Sequence, residues 1–251
     1  TLKLGIRFMP DIAKRAGSNF LSFAMKFIPE VWIGVKMLGL PKLVVLVEIA
    51  ENTEEEVKSK VRKILEAIKP LDVWHRIIEK DSEENKFWIV RRESFNLLRE
   101  HVGDKKTAPF IEDFCVSAEK VPEFLPKALK ILKESGIEAN IAGHAGNGNF
   151  HIIPLMDLSK QSERAKILTV SDKFYNLVRE YAGSITGEHN DGIIRTPYLS
   201  KMYSPEVLEL FKKTKEIFDP QNIFNPGKKV PSTSSGQVGA LEYLENHIAI
   251  E

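Results

Sequence analysis

The run Gly143-His144-Ala145-Gly146-Asn147-Gly148-Asn149-Phe150-His151 constrains the fold more than any other stretch of the 251 residues. Residues 137–142 before it and 150–156 after it both read as strands. An Asn-Gly reversal between two strand-like runs marks an antiparallel hairpin, which speaks against a purely parallel sheet. A tight turn there brings His144 and His151 side by side although they are seven positions apart. A second glycine-framed run, Gly187-Glu188-His189-Asn190-Asp191-Gly192, comes from a separate loop that can close the same site from the other side.

Around the hairpin, strands and helices alternate. Residues 44–49 and 73–78 are rich in β-branched and aromatic side chains and predict strands, as does 109–116. Thr53 and Glu56 have capping-box spacing, and Val57, Val61, Ile64, Leu65 and Ile68 follow on one helical face. Further helices are expected over 83–101, 122–135, 162–181 and 205–218, the last with Pro205 near its start. With the hairpin at the centre, this order predicts an α+β domain with a largely antiparallel sheet and helices on one face, of the ferredoxin-like kind. Residues 231–236 read as a linker and 241–250 as a short terminal element.

Three of the six histidines fall in the two glycine-framed runs. Two neutral imidazoles and a carboxylate suit zinc, manganese or ferrous iron, and three protein ligands leave coordination positions open for water or substrate. The simpler use of such histidines is to hydrogen-bond the turns they sit in. Three of them with a glutamate in paired glycine frames favours a metal site over that use.

Composition narrows the partners. A net charge of +1 offers no basic field for nucleic acid. A single cysteine, Cys115, cannot form an internal disulfide, so no oxidising compartment is needed, and its apolar surroundings predict a buried thiol. No cationic start followed by an apolar core and cleavage site reads as a signal peptide, and a cytoplasmic location is expected. The chain starts at Thr1 on a strand-like alternation, which suggests a start inside a larger protein. Residues 11–42 carry dense aromatics with scattered lysines and arginines but no apolar run of the roughly 20 residues that span a bilayer. They read as a helical insert packed on the parent protein, with peripheral membrane contact as the alternative.

The two histidine-bearing runs, together with the closing Phe218-Asp219-Pro220-Gln221-Asn222-Ile223-Phe224-Asn225-Pro226-Gly227-Lys228, resemble the C-terminal cap domain of FAD-linked oxidases. That family includes glycolate oxidase subunits, D-lactate dehydrogenases and D-2-hydroxyglutarate dehydrogenases. The resemblance divides the chain into 1–41, an amphipathic insert and the end of a missing FAD-binding domain; 42–230, the family domain; and 231–251, a linker and tail. It implies the substrate- and metal-binding half of an FAD-dependent dehydrogenase or oxidase acting on a small 2-hydroxy acid, D-lactate- or glycolate-like. Such a chain is expected to be inactive without the FAD-binding domain or subunit that is its partner.

By the same resemblance, His144, His151 and Glu188 are metal ligands, for zinc or manganese, and His189 is the general base. Arg91 in Phe87-Trp88-Ile89-Val90-Arg91 matches a substrate-binding arginine, though Arg92 and Arg99 nearby leave a plain surface charge open. Asn225 belongs to the segment that returns to the flavin in full-length relatives; an ordinary Asn-Pro-Gly turn is the alternative. The chain departs from the family at Asn147, where Asp is frequent, and at Asn190, where Gly is frequent. Ile111 stands where hydroxyglutarate-type relatives place a lysine, and Phe95 replaces a hydroxyl residue, which favours a small or apolar substrate. A non-catalytic interaction subunit with a structural metal site is the competing reading.

Overall fold

The structure is a computed structural model that describes residues 8–30, 32, 44–100, 104–231 and 237–248. The chain divides into two compact units, Thr1–Leu98 and Arg99–Glu251. The linker expected at 231–236 lies almost wholly outside the described residues.

In the first unit, helices α1 (Met9–Arg15), α2 (Phe20–Met25), α3 (Glu54–Ile68) and α4 (Asp81–Glu100) are formed. Asn19 caps α2 by accepting the N–H of Ser22 at 2.7 Å. The capping box of α3 is present, with Thr53 Oγ1 accepting the N–H of Glu56 and Glu56 accepting that of Thr53. Phe8, Ile12, Ala13, Phe23, Phe27 and Leu97 are buried together, with Phe87, Ile89 and Val90 of α4 packed against them. Four of these six buried residues, Ile12, Ala13, Phe23 and Phe27, come from the aromatic-rich segment. Lys86 is buried as well; its ammonium donates to Lys26 O at 2.6 Å and to both oxygens of Glu30, at 3.0 and 3.1 Å.

Two expected strands are absent. Residues 44–50 and 73–80 have no regular structure, and Val44, Val45 and Val47 are each more than half exposed. β-Branched enrichment favours an extended chain, but a strand exists only where a second strand completes the ladder. Among the described residues none pairs with either segment.

The second unit holds the antiparallel sheet predicted by the hairpin. Strand β4 (Asn149–Met156) is central. Strand β3 (Glu138–His144) pairs along one side of it from Glu138↔Leu155 to His144↔Asn149. On the other side, β1 (Lys106–Thr107) pairs with its end and β2 (Phe114–Cys115) with its start. The strand expected over 109–116 is thus reduced to two residues. Asp113, with φ 70°, turns the chain out of the extended conformation just before β2, and that turn positions a buried carboxylate. Cys115 is half-buried rather than buried; it pairs with Asn149 of β4 on one side and bridges to Ser184 on the other.

Helices α5 (Val121–Glu134) and α6 (Gln161–Glu180) join the sheet in one core. Phe114 packs among Phe124, Phe150 and Phe174, at centroid distances of 5.0, 6.0 and 5.1 Å. The short helix α7 (Gly192–Arg195), α8 (Pro205–Phe218) and α9 (Gln237–Asn246) complete the unit. None of the described helices is long and apolar enough to cross a membrane.

Candidate metal and proton-transfer site

The hairpin brings the predicted residues together. His144 ends β3 and His151 lies on β4 opposite Ala142, so the two imidazoles are diagonal neighbours, perpendicular at 5.5 Å. Between them Ala145–Asn147 forms a 3₁₀ turn that ends at Gly148 with φ 65°. A Cβ on Gly148 would lie 1.7 Å from the carbonyl oxygen of Val116, so only glycine fits there.

Glu188 and His189 come from the loop after the Cys115–Ser184 bridge, and Asp113 holds that loop. Its carboxylate accepts the backbone N–H groups of Gly187, Glu188 and His189 at 2.9, 3.1 and 2.9 Å. It also accepts Thr186 Oγ1 at 3.0 Å and Asn149 Nδ2 at 3.2 Å. Burial acts to raise the pKa of Asp113, but the three amides, with His189 the strongest, outweigh it and hold the carboxyl far below its usual range. A Cβ on Gly187 would meet Asn149 Nδ2 at 2.4 Å; the missing side chain lets this backbone approach β4. Asn190, where the family often has Gly, adopts φ 65°, as its tolerance of left-handed backbone allows.

With the loop so placed, three imidazole nitrogens converge on one oxygen. Glu188 Oε1 lies 3.4 Å from His144 Nε2, 3.3 Å from His151 Nε2 and 3.5 Å from His189 Nε2. His151 and His189 stack at 4.9 Å with their planes 13° apart. Behind them sits Glu112, whose Oε2 is 3.3 Å from His151 Nδ1 and 2.9 Å from His189 Nδ1. Glu112 Oε1 accepts Arg195 Nη2 at 2.6 Å. Burial disfavours the charged Glu112, yet its bonds to His151 and Arg195 prevail and lower its pKa.

Among the described residues, two groups of side chains could hold a cation: His144, His151 and Glu188, and Glu112, Asp113, His151 and His189. In the second, both carboxylates are already engaged, Asp113 by three amides and Glu112 by a buried guanidinium. The first is open: His144 and Glu188 are 42% and 52% exposed. Its nitrogen–oxygen separations of 3.3 and 3.4 Å match the edge of a tetrahedron of ligands about 2.1 Å from a zinc ion, which is about 3.4 Å. The donor set therefore fits the expected metal.

The other expected site residues lie elsewhere. Arg91 is exposed on α4 of the first unit, its guanidinium 5.8 Å from the Trp88 ring centroid. Asn225 is exposed with φ 48°, and its backbone carbonyl accepts the N–H of Lys228 at 3.2 Å, the geometry of a turn. That turn is fastened beside the site loop, since Lys229 N–H donates to Thr196 Oγ1 at 2.6 Å and Lys229 Nζ pairs with Asp191 at 2.7 Å. Ile111 is fully buried in the core. The side chain of Phe95 lies outside the described residues.

Sequence reasoning missed Glu112, Asp113 and Arg195. Adjacent carboxylates within Pro109-Phe110-Ile111-Glu112-Asp113-Phe114-Cys115-Val116 were the available signal, because charge in an apolar run is costly unless a partner waits for it.

The family described as FAD linked oxidases, C-terminal domain, matches residues 6–229. The chain belongs to this family. It is 27% identical over 203 residues to D-2-hydroxyglutarate dehydrogenase of Escherichia coli K12, covering 78% of this chain and 19% of that protein. To D-lactate dehydrogenase of Archaeoglobus fulgidus it is 28% identical over 229 residues, 91% of this chain and 46% of that protein. To glycolate oxidase subunit GlcD of E. coli K12 it is 24% identical over 245 residues, 97% of this chain and 46% of that subunit. The chain thus spans less than half the length of each of these FAD-linked oxidase relatives. The family match covers both compact units, beginning within the first and ending just before the 231–236 segment.

Proposed function

We propose that this chain is the substrate- and metal-binding half of an FAD-dependent oxidoreductase that converts a 2-hydroxy acid to the 2-oxo acid. The observation that carries this is the convergence of three imidazole Nε2 atoms on Glu188 Oε1, at 3.3–3.5 Å. The family supports the reaction class, since the named relatives act on hydroxyglutarate, lactate and glycolate, all 2-hydroxy acids. Charge supports the metal: Glu112, Asp113 and Glu188 against Arg195 leave two negative charges at the site, which a divalent cation balances.

In this proposal His144, His151 and Glu188 hold zinc or manganese. When bound, the ion supplies Lewis-acid charge that lowers the pKa of the substrate hydroxyl. His189 Nε2 takes the hydroxyl proton as the carbonyl forms and the hydrogen on the α-carbon departs as hydride. Histidine suits that step because its pKa lies near neutral pH. The flavin, when bound, supplies the hydride acceptor; its binding domain or subunit is the proposed partner, with Asn225 in the segment facing it. Arg91 is proposed to hold the substrate carboxylate through its planar fork, on the resemblance of its segment.

Anaerobic mixing of the flavin-bearing holoenzyme with D-lactate, glycolate and D-2-hydroxyglutarate tests the proposal. Bleaching of the flavin band by at least one of them is expected, slowed roughly 100-fold or more by His189→Ala with metal content unchanged. No bleaching with any 2-hydroxy acid would overturn it.

A further inference from the structure

We propose that Glu112 is a positioning residue that sets the tautomers of His151 and His189 together. One carboxylate oxygen, Oε2, faces both Nδ1 atoms, at 3.3 and 2.9 Å. An ionised carboxylate can only accept, so each imidazole carries its proton on Nδ1 and leaves the Nε2 lone pair free. Glu188 Oε1 lies 3.3 and 3.5 Å from the two Nε2 atoms, but the hydrogen bonds of both rings are those of Nδ1 to Glu112, which keeps the protons on that side. A histidine ligates or takes a proton only through an unprotonated nitrogen, so the one oxygen prepares both functions.

Arg195 keeps that oxygen in place. It is 3% exposed, and its Nη2 donates to both Oε1 and the backbone carbonyl of Glu112, each at 2.6 Å. Its Nη1 donates to the carbonyl of Asn190 at 2.8 Å, so the same guanidinium ties Glu112 to the loop that carries His189. Glu112 cannot rotate away from the imidazoles without taking the carboxylate partner from a buried guanidinium, which costs more than losing an exposed ion pair would. This arrangement deepens the metal and base roles proposed above and rests on them for its functional meaning, but the tautomers are a property of the metal-free chain.

Replacing Glu112 by Gln makes the inference specific. Glutamine has one acceptor oxygen, and Arg195 claims it. The amide NH₂ then faces the two imidazoles and donates to Nδ1, which moves both protons to Nε2. The variant should therefore present N–H groups where the wild type presents lone pairs.

Two-bond ¹H–¹⁵N correlation spectra of the histidine-labelled, metal-free chain read the tautomers directly. Wild type should show His151 and His189 protonated on Nδ1, and Glu112→Gln should show both shifted to Nε2. Chelator competition should show zinc binding weakened roughly 10- to 100-fold in Glu112→Gln, the usual scale for losing a carboxylate behind a metal-bound imidazole. An Nε2–H tautomer at either histidine of the wild type would overturn the inference, and that spectrum needs no variant to fold. So would a folded Glu112→Gln chain with unchanged tautomers. If wild type binds no zinc yet shows both Nδ1–H tautomers, the metal reading falls and the positioning by Glu112 stands.

Discussion

The carboxylate of Asp113 accepts the backbone N–H of His189 at 2.9 Å across 76 positions of sequence. With the N–H groups of Gly187 and Glu188 it forms a three-amide cradle, and this fixes the loop's approach to the hairpin. Asp113→Asn leaves fewer acceptors for buried donors, and about 2–4 kcal/mol of stability should be lost, read from the urea midpoint. The pH dependence follows from the depressed pKa. Asp113's contribution is full above the unfolded carboxyl value of about 4 and is lost as pH falls below it. Asp113→Asn should therefore flatten the acid side of the stability profile.

Gly148→Ala should cost about 3 kcal/mol or more, because it combines a left-handed φ with a Cβ contact of 1.7 Å to Val116 O. The turn must shift to relieve the contact, and His144 shifts with it. Thermal unfolding and zinc affinity should fall together in this variant; an unchanged melting temperature would mean the turn is not the rigid link between β3 and β4.

The hairpin and the second loop were legible because glycine and asparagine report local backbone demands, and His144, His151, Glu188 and His189 sit inside those frames. Helices were legible by period, down to the Thr53–Glu56 cap. What was not legible is non-local. The strand signals at 44–49 and 73–78 describe a preference that needs a partner, and no spacing in the sequence pairs Glu112 with Arg195 or Asp113 with the Gly187–His189 amides. The 11–42 segment reads as a helical insert packed on the parent protein, and no spacing in it names the partner of its aromatics; Phe23 and Phe27 share a cluster with Phe87 of α4.

Phe23→Ala should accordingly destabilise the first unit by about 3–5 kcal/mol, the scale for emptying a buried aromatic site, since Phe23 is 1% exposed. Phe20→Ala, half-exposed on the same helix, should change stability by less than about 1 kcal/mol. Equal effects in the two variants would contradict the packing of α2 on α4.

At high pH the second unit should lose stability through its buried phenols. Burial, chiefly, pushes the Tyr198 hydroxyl up to about 12, so the neutral form belongs to the fold. That contribution is complete below the unfolded value of about 10 and drains as pH rises through 12. Tyr198→Phe should move the alkaline unfolding midpoint upward, as followed by circular dichroism.

Metal content of the purified chain tests the central claim most directly. Elemental analysis after equilibration with zinc or manganese should give about one ion per chain in wild type. His144→Ala, His151→Ala and Glu188→Ala should each lose it, while His189→Ala keeps it. Wild type without metal, or unchanged metal content in His144→Ala and His151→Ala, would contradict the site.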